Sequence, residues 1–252
     1  MRNVRVIARL DIKNNFLIKG IHLEGLRKIG DPYEFANKYF YSGIDEIIYM
    51  DAVASLYKRN SLNDIIKATA KNIFVPITVG GGIRTIDDAY KILRSGADKI
   101  AINTAAIKNP RLIEELSKRF GSSTIVISIE AKKLTDGKWE AYTNNGREKT
   151  GIDVIKWSSD VERLGAGEIL VTSVDQEGTG RGFDDSLVKS VTDKVKIPVI
   201  ASGGMGTLQH FVDVVKKSNC DGVAIANLLH YSKIIIKELK NFSAKEKINI
   251  RI

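Results

Sequence analysis

Cysteine is nearly absent: Cys220 is the only one in 252 residues. A single thiol excludes an internal disulfide and agrees with a reducing, cytoplasmic setting. No apolar run approaches the roughly 20 residues of a membrane-spanning helix. The opening Met1-Arg-Asn-Val-Arg-Val lacks the pattern of a secretory signal. The expectation is therefore a cytoplasmic chain without a membrane partner. A concentrated basic tract is missing as well. The net charge is +9, yet lysines and arginines are scattered on helical faces, and nothing beyond charge points to nucleic acid. An anionic small substrate accounts for the sign equally well.

What the chain does contain is a repeated motif. Pro76-Ile77-Thr78-Val79-Gly80-Gly81-Gly82-Ile83 has an echo in Pro198-Val199-Ile200-Ala201-Ser202-Gly203-Gly204, 122 residues further on (76 to 198). A short apolar run ending in glycines is how a buried parallel strand reads when it opens into a backbone-lined turn. Glycine lets the backbone approach a ligand, and successive N–H groups can face an oxyanion such as phosphate. Two such loops suggest a ligand with a phosphate at each end. The echo extends further: Gly43-Ile-Asp-Glu46 returns as Gly165-Ala-Gly-Glu168, and Asp98-Lys-Ile-Ala-Ile102 as Asp221-Gly-Val-Ala-Ile225. Asp11 has a counterpart in Glu130. A near-constant offset in several segments is the mark of a duplicated half.

In chain order, strands and helices alternate. Strands are expected at Val4–Leu10, Glu46–Met50, Pro76–Val79, Lys99–Ile102, Thr124–Ile129, Glu168–Val171, Pro198–Ala201 and Gly222–Ala226. Asp31-Pro32 predicts a helix start, with Asp as cap and Pro at the first position. Ser61 is expected to cap the following helix and Thr85-Ile-Asp-Asp the next. Lys13 to Gly30 reads as a polar loop carrying Lys19 and Arg27. Leu134–Lys149, with Asp136-Gly137 and Asn145-Gly146, reads as a small hairpin, and Gly151–Leu164 as a helix. Eight strands alternating with helices make a closed (β/α)8 TIM barrel with a twofold half-barrel repeat. It would be a single domain over 1–252, with half-barrels at about 1–120 and 121–252.

In such a barrel the chemistry lies where strands end. The polar residues there are Asp11, Asp51, Asn103, Glu130, Thr172, Ser173 and Asn227, together with the glycine loops. Asp11 and Glu130, facing one another from opposite halves, suit a general acid and general base.

These residues carry a resemblance. Arg9-Leu-Asp11, Ile18-Lys19-Gly20, Val79-Gly-Gly-Gly-Ile83, Ala97-Asp98-Lys99, Ile102-Asn103-Thr104-Ala105, Gly165-Ala-Gly-Glu168-Ile169-Leu170 and Ile200-Ala-Ser-Gly-Gly204 resemble the cyclase subunit of imidazole glycerol phosphate synthase, the HisF family. The resemblance runs end to end and implies a barrel of the ribulose-phosphate-binding type. It implies that ammonia from a HisH-like glutaminase, bound as a heterodimer partner, reacts with a phosphoribulosyl-formimino aminoimidazole carboxamide ribonucleotide. Imidazole glycerol phosphate and an aminoimidazole carboxamide ribotide are the products. It implies Asp11 and Glu130 as catalytic carboxylates, with Lys19, Asp51, Asn103, Thr172 and Glu177 contacting substrate. Gly81, Gly82, Thr104, Gly203, Gly204 and Asn227 would hold phosphates. Arg5, Glu46, Lys99 and Glu168 would form an ammonia gate at the opposite face, and Asp98 would help dock the glutaminase. No cofactor and no metal is implied.

The chain also departs from that pattern. Position 130 is glutamate where the family has aspartate, Asp175-Gln176-Glu177-Gly178-Thr179 stands for Asp-Arg-Asp-Gly-Thr, and Asn227 for a serine. His22-Leu-Glu-Gly-Leu, Ala54-Ser-Leu-Tyr-Lys-Arg-Asn60 and Ser128-Ile-Glu-Ala-Lys132 are similar to HisF-like paralogues that accompany sugar amidotransferases in surface-polysaccharide gene sets. The alternative expectation is thus a partner that activates a glutaminase and conducts its ammonia to such an amidotransferase, with little cyclase activity of its own.

Overall fold

The computed structural model describes residues 3–54 and 62–252. Its strands are β1 (Arg5–Lys13), β2 (Phe16–Ile21), β3 (Glu24–Gly30), β4 (Glu46–Asp51), β5 (Ile77–Gly80), β6 (Lys99–Ile102), β7 (Ile125–Lys133), β8 (Trp139–Thr143), β9 (Glu148–Asp153), β10 (Glu168–Ser173), β11 (Val199–Ser202) and β12 (Gly222–Ile225). The helices are α1 (Pro32–Tyr41), α2 (Asn63–Asn72), α3 (Ile86–Arg94), α4 (Thr104–Lys108), α5 (Arg111–Phe120), α6 (Val154–Arg163), α7 (Asp185–Thr192), α8 (Leu208–Ser218), α9 (Asn227–His230) and α10 (Ile236–Lys245).

Eight strands pair in parallel around a closed circuit: β1, β4, β5, β6, β7, β10, β11, β12 and back to β1. This is the expected (β/α)8 barrel. Successive side chains on a strand face opposite ways, which sorts β1 into two rows. Val6, Ala8 and Leu10 belong to the cluster between sheet and helices. Ile7 belongs to a second cluster with Ile48, Ala101, Val126, Leu170, Ile200 and Ala224, which fills the barrel. Arg5, Arg9 and Asp11 share the inward row. Along the axis the lumen therefore runs from charged floor to aliphatic collar to polar layer to mouth.

The half-barrel repeat is visible in hydrogen bonds. Asp98 Oδ2 accepts from the Ile77 amide, and Asp221 Oδ2 from the Val199 amide. Ile47 N donates to Pro76 O as Ile169 N does to Pro198 O. Thr85 and Thr207 cap α3 and α8 in the same manner. Each half also raises an antiparallel excursion above its first strand, β1–β2–β3 and β7–β8–β9.

Some expectations need correction. The segment from Lys13 to Gly30 is not a loop but the hairpin β2–β3, continuous with β1. Asn14 and Asn15, both at positive φ (50 and 65), make the tight turn that joins β1 to β2, a conformation asparagine tolerates. Asp11 and Glu130 accordingly lie within β1 and β7, since both strands run on past the barrel rim. Gly151 to Asp153 belong to β9, and α6 begins at Val154 with Asp153 accepting from Lys156 N. Asp31 caps α1 through Tyr33 N and Glu34 N, with Pro32 at its first position, as expected. Ser61 and most of the Ala54–Asn60 run lie outside the described residues; α2 starts after Leu62, which offers no side-chain cap.

Candidate active site

The two mouth carboxylates are both buried and influence each other, yet their surroundings differ. Asp11 Oδ1 accepts from Arg9 Nε at 3.0 Å. Burial alone would raise its pKa, but the Arg9 guanidinium and the Lys19 ammonium outweigh that and hold it below the usual aspartate range. Glu130 Oε2 accepts from Gly146 N at 2.7 Å and from Asn103 Nδ2 at 3.0 Å. Here burial wins: the pKa is pushed up to about 7, with the Asp11 charge adding to the rise. Near neutral pH Asp11 is a carboxylate, whereas Glu130 holds on to a proton that an ordinary glutamate would have lost. Carboxyl groups driven apart in this way can divide the work of base and acid.

The upper hairpin supplies one of these contacts. Asn144, Asn145 and Gly146 are all at positive φ, and the turn aims the Gly146 amide down at Glu130. Asn145 Nδ2 in turn bonds to Leu23 O of the other hairpin turn.

The glycine loops flank the carboxylates. Gly81 and Gly82 have φ of 100 and 74, Gly203 and Gly204 of 93 and 114, a region only glycine enters freely. A Cβ at Gly81 would stand 2.6 Å from Asp51 O, and one at Gly203 2.7 Å from Ser173 O. The first loop opens onto a cavity of about 240 Å³, whose lining includes Asp51, Gly81, Gly82, Asn103, Thr104 and Glu130. Thr104 begins α4 at the edge of the cavity; its hydroxyl accepts from Asn144 N. Asn103 Oδ1 is buried and makes no hydrogen bond among the described residues, an acceptor that a ligand can satisfy.

The second loop is tighter. About 20 Å³ is left among Glu177, Ser202, Gly203, Gly204 and Asn227. Asn227 Nδ2 donates to Gly178 O, and Glu177 is locked in a buried ion pair with Lys19. That pair, with His22 N donating to Glu177 O, clasps the β2–β3 hairpin down over this side of the mouth. Thr172 reaches neither cavity. It is fully buried one layer down, where its hydroxyl accepts from Arg9 Nη1 at 2.9 Å.

Sequence reasoning overlooked four residues. Arg9 was quoted only as part of a motif, although a charged residue in a strand's inward row was a signal. Arg84 and Lys108 border the open cavity; Arg84 stands only two residues after Gly82 and was legible from that loop, whereas Lys108, at the end of α4, lies far from the glycines in sequence. His230 is buried, its Nδ1 2.7 Å from Tyr39 Oη and its Nε2 without a hydrogen bond among the described residues. Burial lowers its pKa to about 4, so it is neutral at pH 7. Among the described residues no three His, Cys, Asp or Glu side chains converge as metal ligands.

At the barrel floor the structure brings together all four expected charges. Arg5 Nη1 lies 2.8 Å from Glu46 and Lys99 Nζ 2.8 Å from Glu168; Lys99 also meets Glu46 at 3.1 Å, and Arg5 meets Glu168. The ring alternates in sign, and Thr78 Oγ1 donates to Glu46 as well. Mutual satisfaction is what makes such burial tolerable. Asp98 is exposed beside Lys99, with one oxygen on the Ile77 amide.

Comparison with known proteins gives a consistent result. The model of a family described as "Histidine biosynthesis protein" matches residues 5–235. A Legionella pneumophila protein named "Imidazole glycerol phosphate synthase subunit HisF" is 63% identical over 84% of this chain and 100% of its own length. A Pyrococcus furiosus protein of the same name is 49% identical over 98% of both chains. With a barrel of this topology and a mouth of paired carboxylates between twin glycine loops, the chain belongs to the histidine biosynthesis protein family and, within it, to the HisF family.

Proposed function

We propose that this chain is the cyclase subunit of imidazole glycerol phosphate synthase. It reacts ammonia with the phosphoribulosyl-formimino aminoimidazole carboxamide ribonucleotide and releases imidazole glycerol phosphate and the aminoimidazole carboxamide ribotide. One observation carries the reading: an ionised Asp11 and a proton-holding Glu130 share a mouth flanked by two glycine loops. Condensing ammonia with a ketone expels water, and closing the ring expels the ribotide amine. Each leaving group needs a proton, and the attacking nitrogen must lose one. Glu130 supplies the first and Asp11 accepts the second. The first glycine loop, with Thr104 and the nearby Arg84 and Lys108, holds one phosphate. Gly203, Gly204 and Asn227 hold the other once Lys19 leaves Glu177 to meet the substrate.

The floor ring serves as the entry for ammonia from a cytoplasmic glutaminase subunit docked over Asp98, because charges that satisfy one another can part and re-pair without leaving any ion bare. The test is turnover of the ribonucleotide with an ammonium salt by the purified chain. Asp11→Asn should lower it at least about 100-fold, the usual scale for a lost acid–base group. No turnover by the unmutated chain, together with retained stimulation of a glutaminase, would assign it instead to ammonia conduction alone.

A further inference from the structure

A buried guanidinium occupies the layer just above the aliphatic collar. Arg9 is 2% exposed. Its side chain leaves β1 and crosses the lumen, where Nη1 donates to Thr172 Oγ1 of β10 at 2.9 Å and to Ser202 Oγ of β11 at 3.2 Å. Those strands lie three and two places from β1 around the barrel. Nε meanwhile donates to Asp11 Oδ1 at 3.0 Å. A layer built only for stability would hold branched aliphatics, as the collar one step below does. Placing a cation here incurs a desolvation cost, which the pairing with Asp11 and the fields of Glu177 and Glu130 outweigh. The planar fork suits this position, since three strands are engaged by one rigid group.

We propose that Arg9 is a positioning residue: it fixes Asp11 as an oriented carboxylate opposite Glu130 and thereby decides which of the two is base and which carries the proton. The inference rests on the acid–base reading above. Asp11 is faced by Arg9 on its own strand, Lys19 from β2, Glu130 from β7 and His230 from α9. Lys19 is shared with Glu177, and burial keeps His230 neutral. Arg9 is the cation in direct contact, and its bonds to Thr172 and Ser202 stop it from following a proton or a ligand.

The test is a carboxyl-carbon NMR titration of Asp11 and Glu130 in the whole chain, assigned with Asp11→Asn, alongside the pH profile of ammonium-dependent kcat/KM. In the unmutated chain Asp11 should titrate below an ordinary aspartate. Arg9→Gln should raise that midpoint by at least about one pH unit, a tenfold change in proton affinity, and move the acid limb of the profile upward with it. Arg9→Lys should keep the midpoint low, while kcat falls because the fork to Thr172 and Ser202 is lost. An Asp11 midpoint at or above the ordinary range in the unmutated chain overturns the proposal without any variant, as does an unmoved midpoint in Arg9→Gln. The titration needs no turnover. An inactive chain would therefore count against the cyclase reading, and an unshifted carboxylate against this one.

Discussion

Glu130→Gln should make the chain more stable at pH 8 than at pH 5, relative to the parent. The pKa of Glu130 rises from an ordinary 4.5 to about 7 on folding. Between those values the folded chain keeps a proton that the unfolded chain gives up, so the parent loses stability as pH rises, with the loss complete above 7. From pH 5 to 8 the effect is about 2–3 kcal/mol. Glutamine has no proton to lose, and its amide oxygen can accept the Gly146 and Asn103 bonds that Oε2 accepts now. Urea unfolding of both proteins at the two pH values measures the change. The difference in unfolding free energy should shift by that amount in favour of the variant. Asp11, depressed and present in both chains, cancels to first order. A difference that is the same at both pH values refutes the assignment of Glu130 as the carboxyl raised by burial.

Two further outcomes concern the floor and the glycine loops. Lys99→Ala leaves Glu46 and Glu168 to share Arg5 and should cost about 1–3 kcal/mol in urea unfolding. It should impair glutamine-dependent turnover in the glutaminase complex far more than turnover with ammonium; equal loss of both would remove the gate. Gly81→Ala must hold alanine at a φ of 100 with its Cβ 2.6 Å from Asp51 O, a strain of about 1–3 kcal/mol. Steady-state kinetics should show KM raised several-fold. Gly43→Ala is the control: at a φ of 86, in open space away from the mouth, it should lower stability and leave KM alone.

Much of the fold was legible because its signals are local. Pro32 after Asp31, the Thr85–Asp88 box and the apolar runs ending in glycine each follow from backbone sterics within a few residues. The in-register echo converted those pieces into a closed barrel. The β2–β3 hairpin was hidden because its faces are set by the rim it covers. Leu17 and Ile18 are both buried, so no simple alternation marks the strand.

For the site, strand-end position was enough to single out Asp11, Glu130, Asp51 and Asn103, whereas the four floor charges were expected only from the family resemblance. Residue type and spacing could not say that Thr172 is spent on Arg9, that Glu177 is spent on Lys19, or that one glycine loop is open and its twin nearly filled. Those outcomes depend on atoms brought together from strands far apart in the chain. The same holds for the carboxylates. Their pKa values diverge because one touches a guanidinium and the other is buried against an amide and a carboxamide. Such differences in local field exist only after the barrel has closed.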